Sequence, residues 1–124
     1  MKIRTSRMGG FTLVEIMITV AIIGMLSAIS VPNAMKARES AQFNSIINNL
    51  RIIEGSKDQW ALENKKAPGT LPTAADLVAH LKNNTMPQAV IGETYNINPV
   101  GTLANATTPV KLGSVPAGGT VTLP

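Results

Sequence analysis

The sequence contains no cysteine and only four aromatic residues, which are Phe11, Phe43, Trp60 and Tyr95. The absence of cysteine excludes disulfide bonds and thiolate metal ligands. Because so few side chains are large, the C-terminal part of the chain has little apolar surface to bury. We therefore expect a small C-terminal domain that is only marginally stable on its own.

The sequence also lacks a strong charge excess outside its first residues. The net charge is +4, but Lys2, Arg4 and Arg7 supply three of the positive charges. The chain after Gly10 contains eight basic and seven acidic residues, so this part is nearly neutral. Nucleic-acid binding needs clustered cations that neutralise phosphates. The composition therefore argues against nucleic acid as a partner.

Groups that could carry out chemistry are equally scarce. His80 is the only histidine, and no acidic or sulfur-containing neighbour accompanies it to build a metal site. We expect it to be a solvated or partly covered helix residue. No pair of acids suggests a catalytic pocket. The sequence therefore predicts a protein that is not an enzyme and holds no cofactor.

What the sequence does contain is a long apolar run, residues 11–31, in which Glu15 is the only ionisable side chain. Roughly 20 apolar residues suffice to span a bilayer, and a carboxylate there costs about 2.5–3.5 kcal/mol. An ordinary secretory signal peptide, cleaved after Ala28-Ile29-Ser30, would have a shorter core without an acid. A plain membrane anchor, oriented by the basic N-terminus, leaves Gly9-Gly10 and Glu15 unexplained.

The segment GFTLVE at residues 10–15, followed by the apolar run, resembles the N-terminal signature of type IV pilins and type II secretion pseudopilins. The resemblance extends from the basic leader through Pro32-Asn33. It implies that a membrane prepilin peptidase cleaves between Gly10 and Phe11 and then methylates the new amine of Phe11. It also implies that Glu15 pairs with the N-terminal amine of a neighbouring subunit, which would recover much of the cost of burying the charge.

The predicted fold is α+β and pilin-like, a ladle with a long N-terminal helix and a small C-terminal antiparallel sheet. The helix has a transmembrane half and an amphipathic half, because apolar residues continue at helical spacing after the apolar run. We expect four segments: a prepilin leader peptide (1–10), a transmembrane or filament-core helix (11–31), an amphipathic continuation (32–65) and a small globular head with a short helix and strands (66–124).

Two residues weaken the predicted helix. Gly24 costs about 1 kcal/mol relative to alanine, and Pro32 cannot donate a backbone bond to Ala28. An unpaired backbone is too costly in a bilayer, so we expect the isolated subunit to remain helical here. The resemblance implies that the segment between Gly24 and Pro32 unwinds once neighbouring subunits cover it in a filament.

The amphipathic half presents one apolar face, on which Glu54 and Lys57 intrude, and we expect these two where the face becomes solvated. Ile52 and Leu62 lie off the face and are candidates for contacts with other subunits. We expect the helix to end near Lys65-Lys66, before Pro68-Gly69. The residues of the face are Phe43, Ile46, Ile47, Leu50, Ile53, Trp60 and Ala61.

In the head, Thr73-Ala74-Ala75-Asp76 resembles a capping box that opens a short helix to about Lys82. Asn83-Asn84 can then close this helix in a left-handed turn. Strand-like composition predicts three strands, at residues 94–97, 110–112 and 120–123.

Major pseudopilins typically carry a calcium site in a C-terminal loop. The resemblance would imply a similar site in this chain. Calcium requires several oxygen ligands, including carboxylates. After Asp76, Glu93 is the only acid. The sequence therefore argues against calcium dependence.

The predicted function is that of a structural subunit of a type IV pilus-like filament, with a type II secretion pseudopilin favoured. The alternatives are a type IV pilin of a surface pilus, or a membrane-anchored or secreted binding module with an ordinary signal sequence. The expected partners are prepilin peptidase, other pilin subunits, an inner-membrane assembly platform and, before assembly, membrane lipid. We expect a single-pass inner-membrane protein with a cytoplasmic N-terminus and a periplasmic head, and a filament in the periplasm or at the cell surface.

Overall fold

The structure, a computed structural model, describes Lys2 and residues 9–124. Arg4 and Arg7, and with them most of the predicted leader, lie outside the described residues. The chain divides into two units between Met35 and Lys36. These are called the N-terminal unit and the C-terminal unit, and each is described by itself.

The N-terminal unit consists of the first part of helix α1, which extends over Leu13–Glu63. Gly24 and Pro32 both lie inside this helix, and neither interrupts it. Large apolar side chains are exposed all around this part of the helix, and none of its apolar window is buried by any described residue. The helix is long and apolar enough to cross a membrane.

Helix α1 ends two residues before the predicted stop, because the chain makes a Schellman turn there. Lys65 has a left-handed backbone conformation, with φ of 51°. Its amide donates to the carbonyl of Leu62 at 3.4 Å, and the amide of Lys66 donates to the carbonyl of Ala61 at 2.9 Å. The carbonyls of Ala61 and Leu62 are therefore satisfied, without basic residues in the final turn of the helix.

In the C-terminal unit, the predicted apolar face of α1 is the centre of the core. Ile46, Leu50 and Ile53 have no exposed surface. The two residues predicted to lie off the face do so, since Ile52 is 43% exposed and Leu62 is 80% exposed. The buried apolar cluster comprises Ile46, Ile47, Leu50, Ile53, Trp60, Ala61, Leu77, Leu81, Ala104, Ala106, Leu112 and Val121.

The expectation of a solvated position for Glu54 and Lys57 is wrong. Lys57 is 0% exposed, and its ammonium lies 2.8 Å from a carboxylate oxygen of Glu54. The same ammonium donates to the backbone carbonyls of Thr102, Ile97 and Pro99, at 2.5, 3.3 and 3.5 Å. Because these oxygens replace water around the charge, the lysine is stable inside the unit.

The capping box of the second helix is confirmed. Thr73 is the N-cap of helix α2 (Ala74–Val78): its hydroxyl accepts from the amide of Asp76, and its own amide donates to the Asp76 carboxylate at 2.8 Å. The helix is shorter than expected and is followed by a 3-10 turn, Lys82–Asn84. Asn83 and Asn84 both have positive φ, as predicted for the residues that close the segment.

Three short strands form one antiparallel sheet, in which each strand pairs with the next one along the chain. The paired central residues of the strands are Tyr95, Ala106 and Val121. The strand bounds are β1 (Thr94–Asn96), β2 (Asn105–Thr107) and β3 (Thr120–Thr122).

The first and last strands lie where the sequence predicts them, but the middle strand does not. Residues 110–112 form only an isolated bridge between Leu112 and Val115. Pro109, which precedes them, has no amide proton to donate to a ladder. The strand forms instead around Ala106, which is fully buried and small enough for the sheet to approach the core closely. Packing therefore outweighs strand propensity here.

Candidate functional site

The predicted cleavage point lies in exposed backbone outside the helix. Residues 9–12 have no regular secondary structure, and Phe11 is 85% exposed. A Cβ added to Gly9 or Gly10 would meet no atom within 4 Å, and neither glycine has a left-handed φ. The described chain therefore gives no internal reason for glycine at these two positions.

Directly after this segment, α1 begins with a capping box. The amide of Thr12 donates to the Glu15 carboxylate at 2.9 Å, and the amide of Glu15 donates to the Thr12 hydroxyl at 3.2 Å. Both side chains thus satisfy amides that the first helical turn leaves without partners. The predictions for Glu15 did not include this role, although the spacing Thr-x-x-Glu is its signal.

The capping box leaves Glu15 able to accept a second partner. A carboxylate has about four acceptor positions on two oxygens, and the cap uses Oε2. The capped amide belongs to the residue next to Phe11, so the box holds the acid beside the predicted new N-terminus. The box also keeps this side chain at the positive end of the helix dipole.

The two predicted weak points are exposed on the same helix, away from the capping box. Gly24 has open space around the position of a Cβ, so packing inside the described chain does not require glycine. Pro32 lies within the helix. Neither residue contributes a contact to Glu15 in the described subunit.

Among the described residues, no set of side chains that suits calcium comes together. No cluster of three or more His, Asp or Glu side chains occurs in Lys2 and residues 9–124. His80 does have an acidic neighbour, contrary to the sequence analysis, because the turn after α1 brings Glu63 to 3.4 Å from its Nδ1. That pair alone provides one carboxylate, which is too few oxygen ligands for calcium.

Glu93, the last acid of the chain, is engaged by its own surroundings. It is 4% exposed, and its carboxylate accepts from the amides of Val90 and Ile91, each at 2.8 Å, and from the Tyr95 hydroxyl. Asn49 on α1 donates to that hydroxyl at 2.8 Å. The acid therefore ties the segment before β1 to the helix, and its oxygens are not presented as metal ligands.

These contacts shift the pKa values of both Glu93 and Tyr95. Burial alone would raise the pKa of Glu93, but the hydrogen bonds from Tyr95, Ile91 and Val90 favour the ionised form and lower its pKa below the ordinary 4.5. Burial, followed by the hydrogen bond to Glu93, raises the pKa of Tyr95 to about 12. The pair therefore remains a carboxylate and a neutral phenol over a wide pH range.

Comparison with known proteins identifies relatives of this chain. Residues 5–31 match the family described as the prokaryotic N-terminal methylation motif. The type II secretion system core protein G of Klebsiella pneumoniae is 32% identical over 104 residues, which cover 73% of this chain and 74% of that protein. The core protein G of Pseudomonas aeruginosa is 33% identical over 79 residues (64% and 56%), and that of Escherichia coli (strain K12) is 36% identical over 66 residues (53% and 46%). Against these last two, the chain spans about half of the relative's length. No solved structure matches the chain.

The lowered pKa of Glu93 predicts a loss of stability in acid. Its stabilising contribution is complete above pH 4.5 and is lost as the pH falls through the lower pKa of the folded state. We expect the free energy of unfolding in detergent, followed by Trp60 fluorescence, to fall more steeply in wild type than in Glu93→Gln between about pH 5 and pH 3. Glu39→Gln, at an exposed position, serves as the control. If the free energies of unfolding of wild type and Glu93→Gln differ by the same amount throughout this pH range, the prediction is contradicted.

Proposed function

We propose a filament function on the premise that this chain belongs to the type II secretion system core protein G family, whose members are pseudopilins. The chain is a type II secretion pseudopilin, and the names of its relatives do not favour a surface pilin. The observation that carries the proposal is the first part of α1, which is apolar on all sides and uncovered, with one acid at its start. Such a helix requires lipid before assembly and the helices of other subunits afterwards.

We further propose the path that this chain follows. The basic N-terminus keeps the leader in the cytoplasm, and the C-terminal unit lies in the periplasm. Prepilin peptidase cleaves between Gly10 and Phe11, in backbone that the structure shows to be exposed and non-helical, and methylates the amine of Phe11. An inner-membrane platform then adds the subunit to a periplasmic filament. The role is structural and requires no catalysis.

Glu15 has two roles in this proposal. Within its own subunit it caps α1, as the hydrogen bonds with Thr12 show. In the filament it also pairs with the N-terminal amine of an adjacent subunit. A buried charge that finds a partner recovers much of its desolvation cost, so the acid favours a correctly placed neighbour.

The position of the mature N-terminus tests the proposed function directly. We expect mass spectrometry of the mature chain to find N-methylated Phe11, and Gly10→Val to leave the leader attached. The structure has open space at Gly10, so a block in cleavage would report on the peptidase and not on misfolding. A mature chain that begins at Ser30 or Val31 would instead establish an ordinary signal sequence, and normal shortening of Gly10→Val would contradict the cleavage site.

The two roles of Glu15 can be separated by substitution. Glutamine at this position retains an acceptor for the Thr12 amide but carries no charge, whereas Thr12→Ala removes half of the capping box and keeps the charge. We expect Glu15→Gln to be cleaved normally and to form few filaments when counted by electron microscopy. Thr12→Ala should assemble nearly as well as wild type, at a cost of about 1 kcal/mol in helix stability. Wild-type filament counts for Glu15→Gln would show that pairing through charge is unnecessary.

The weak points of α1 carry a separate expectation. The segment from Gly24 to Pro32 is helical in the single subunit, and we propose that it is stretched in the filament, where neighbouring helices cover its backbone. Gly24→Ala combined with Pro32→Ala should make filaments less extensible under load. A filament map with unbroken helix from residue 13 to residue 63 would contradict this proposal.

A further inference from the structure

We propose that the ammonium of Lys57 is the built-in cation of the loop between β1 and β2, so that the C-terminal unit folds without calcium. The loop comprises residues 97–104. The proposal concerns the C-terminal unit only, and it does not depend on processing at Phe11 or on the role of Glu15.

The surroundings of the ammonium have the chemistry of a site for a hard cation. Three backbone carbonyls, from Ile97, Pro99 and Thr102, and one carboxylate oxygen, from Glu54, surround the nitrogen at 2.5–3.5 Å. Carbonyl and carboxylate oxygens are also the ligands that calcium prefers. Here the positive charge is already present, on a side chain that has no exposed surface.

The backbone of the loop is arranged so that its carbonyls converge. Asn98 and Gly101 have positive φ, at 56° and 89°, which turns the chain back on itself twice within five residues. The Asn98 side chain donates to the carbonyl of Leu103 at 2.8 Å and holds the turn from within. The Pro99 carbonyl also accepts from the amide of Thr102 at 2.9 Å. Without the ammonium, the carbonyls of Ile97 and Thr102 would have no donor among the described residues, and each buried acceptor left unpaired is destabilising.

The charge of the site is balanced without a metal. Oε2 of Glu54 accepts from the Lys57 ammonium at 2.8 Å and from the amide of Ala104 at 3.0 Å. The site therefore contains one cation and one anion in direct contact. The ammonium binds carbonyls of residues 97, 99 and 102, and the carboxylate binds the amide of Ala104. A calcium ion placed against the same carbonyls would lie within a few ångströms of the ammonium, and like charges at that separation repel strongly in a protein interior.

Calcium sensitivity of the wild-type chain is the first test. We expect the Tm of the full chain in detergent, followed by Trp60 fluorescence, to be the same within error in calcium chloride and in EDTA. A Tm that falls in EDTA and recovers with calcium would overturn the proposal. This measurement needs no variant, so it remains decisive even if a substituted chain does not fold.

The second test compares Lys57→Met, which keeps the length of the side chain and removes the charge, with Arg51→Met, an exposed control on the same helix. Breaking a buried ion pair should lower the Tm of Lys57→Met by at least about 10 °C, with little change in the control. Amide hydrogen exchange should accelerate in residues 97–104 before it does so in β2 and β3. Equal Tm values and equal exchange in the two variants would refute the role of Lys57, whatever the outcome of the filament experiments.

Discussion

The first part of α1 imposes the constraint on which the rest of the molecule depends. Its apolar side chains point in all directions, and no described residue covers them. In a bilayer or in a bundle of helices this segment is stable, because its backbone bonds are internal and its side chains meet apolar neighbours. In water it would aggregate. Thr12 and Glu15 cap the start of this segment, and we propose that they influence when it leaves the lipid.

The C-terminal unit solves a different problem, which is to stay folded with few large side chains. Its core is built on one face of α1, and its three strands each contain three residues. Two polar networks add to this small core: Asn49, Tyr95 and Glu93 tie the segment before β1 to the helix, and Lys57 with Glu54 ties down the loop after β1. Both networks are anchored on α1. Within the described residues, no buried side-chain polar atom lacks a hydrogen-bond partner.

The sequence predicted the features whose causes are local. The apolar run, the single acid at Glu15, the face of α1 and the capping box at Thr73 each depend on residues within a few turns of one another. It did not predict the position of Lys57, because the carbonyls that solvate the ammonium come from residues 40 to 45 positions further along the chain. Strand β2 was missed for a similar reason, since its place depends on how closely Ala106 fits the core and not on propensity. The proposed partner of Glu15 is the amine of another chain, which the fold of one subunit does not determine.

The location of the cation on Lys57 also changes how the loop responds to its surroundings. A loop organised by a free ion is populated according to mass action, so its folded fraction follows the ion's concentration in the compartment. A cation carried on the same polypeptide has an effective concentration that is fixed by the length of its tether and does not vary with the medium. The loop at residues 97–104 would therefore adopt its folded conformation as soon as α1 and β1 come together, whether the calcium concentration is low or high.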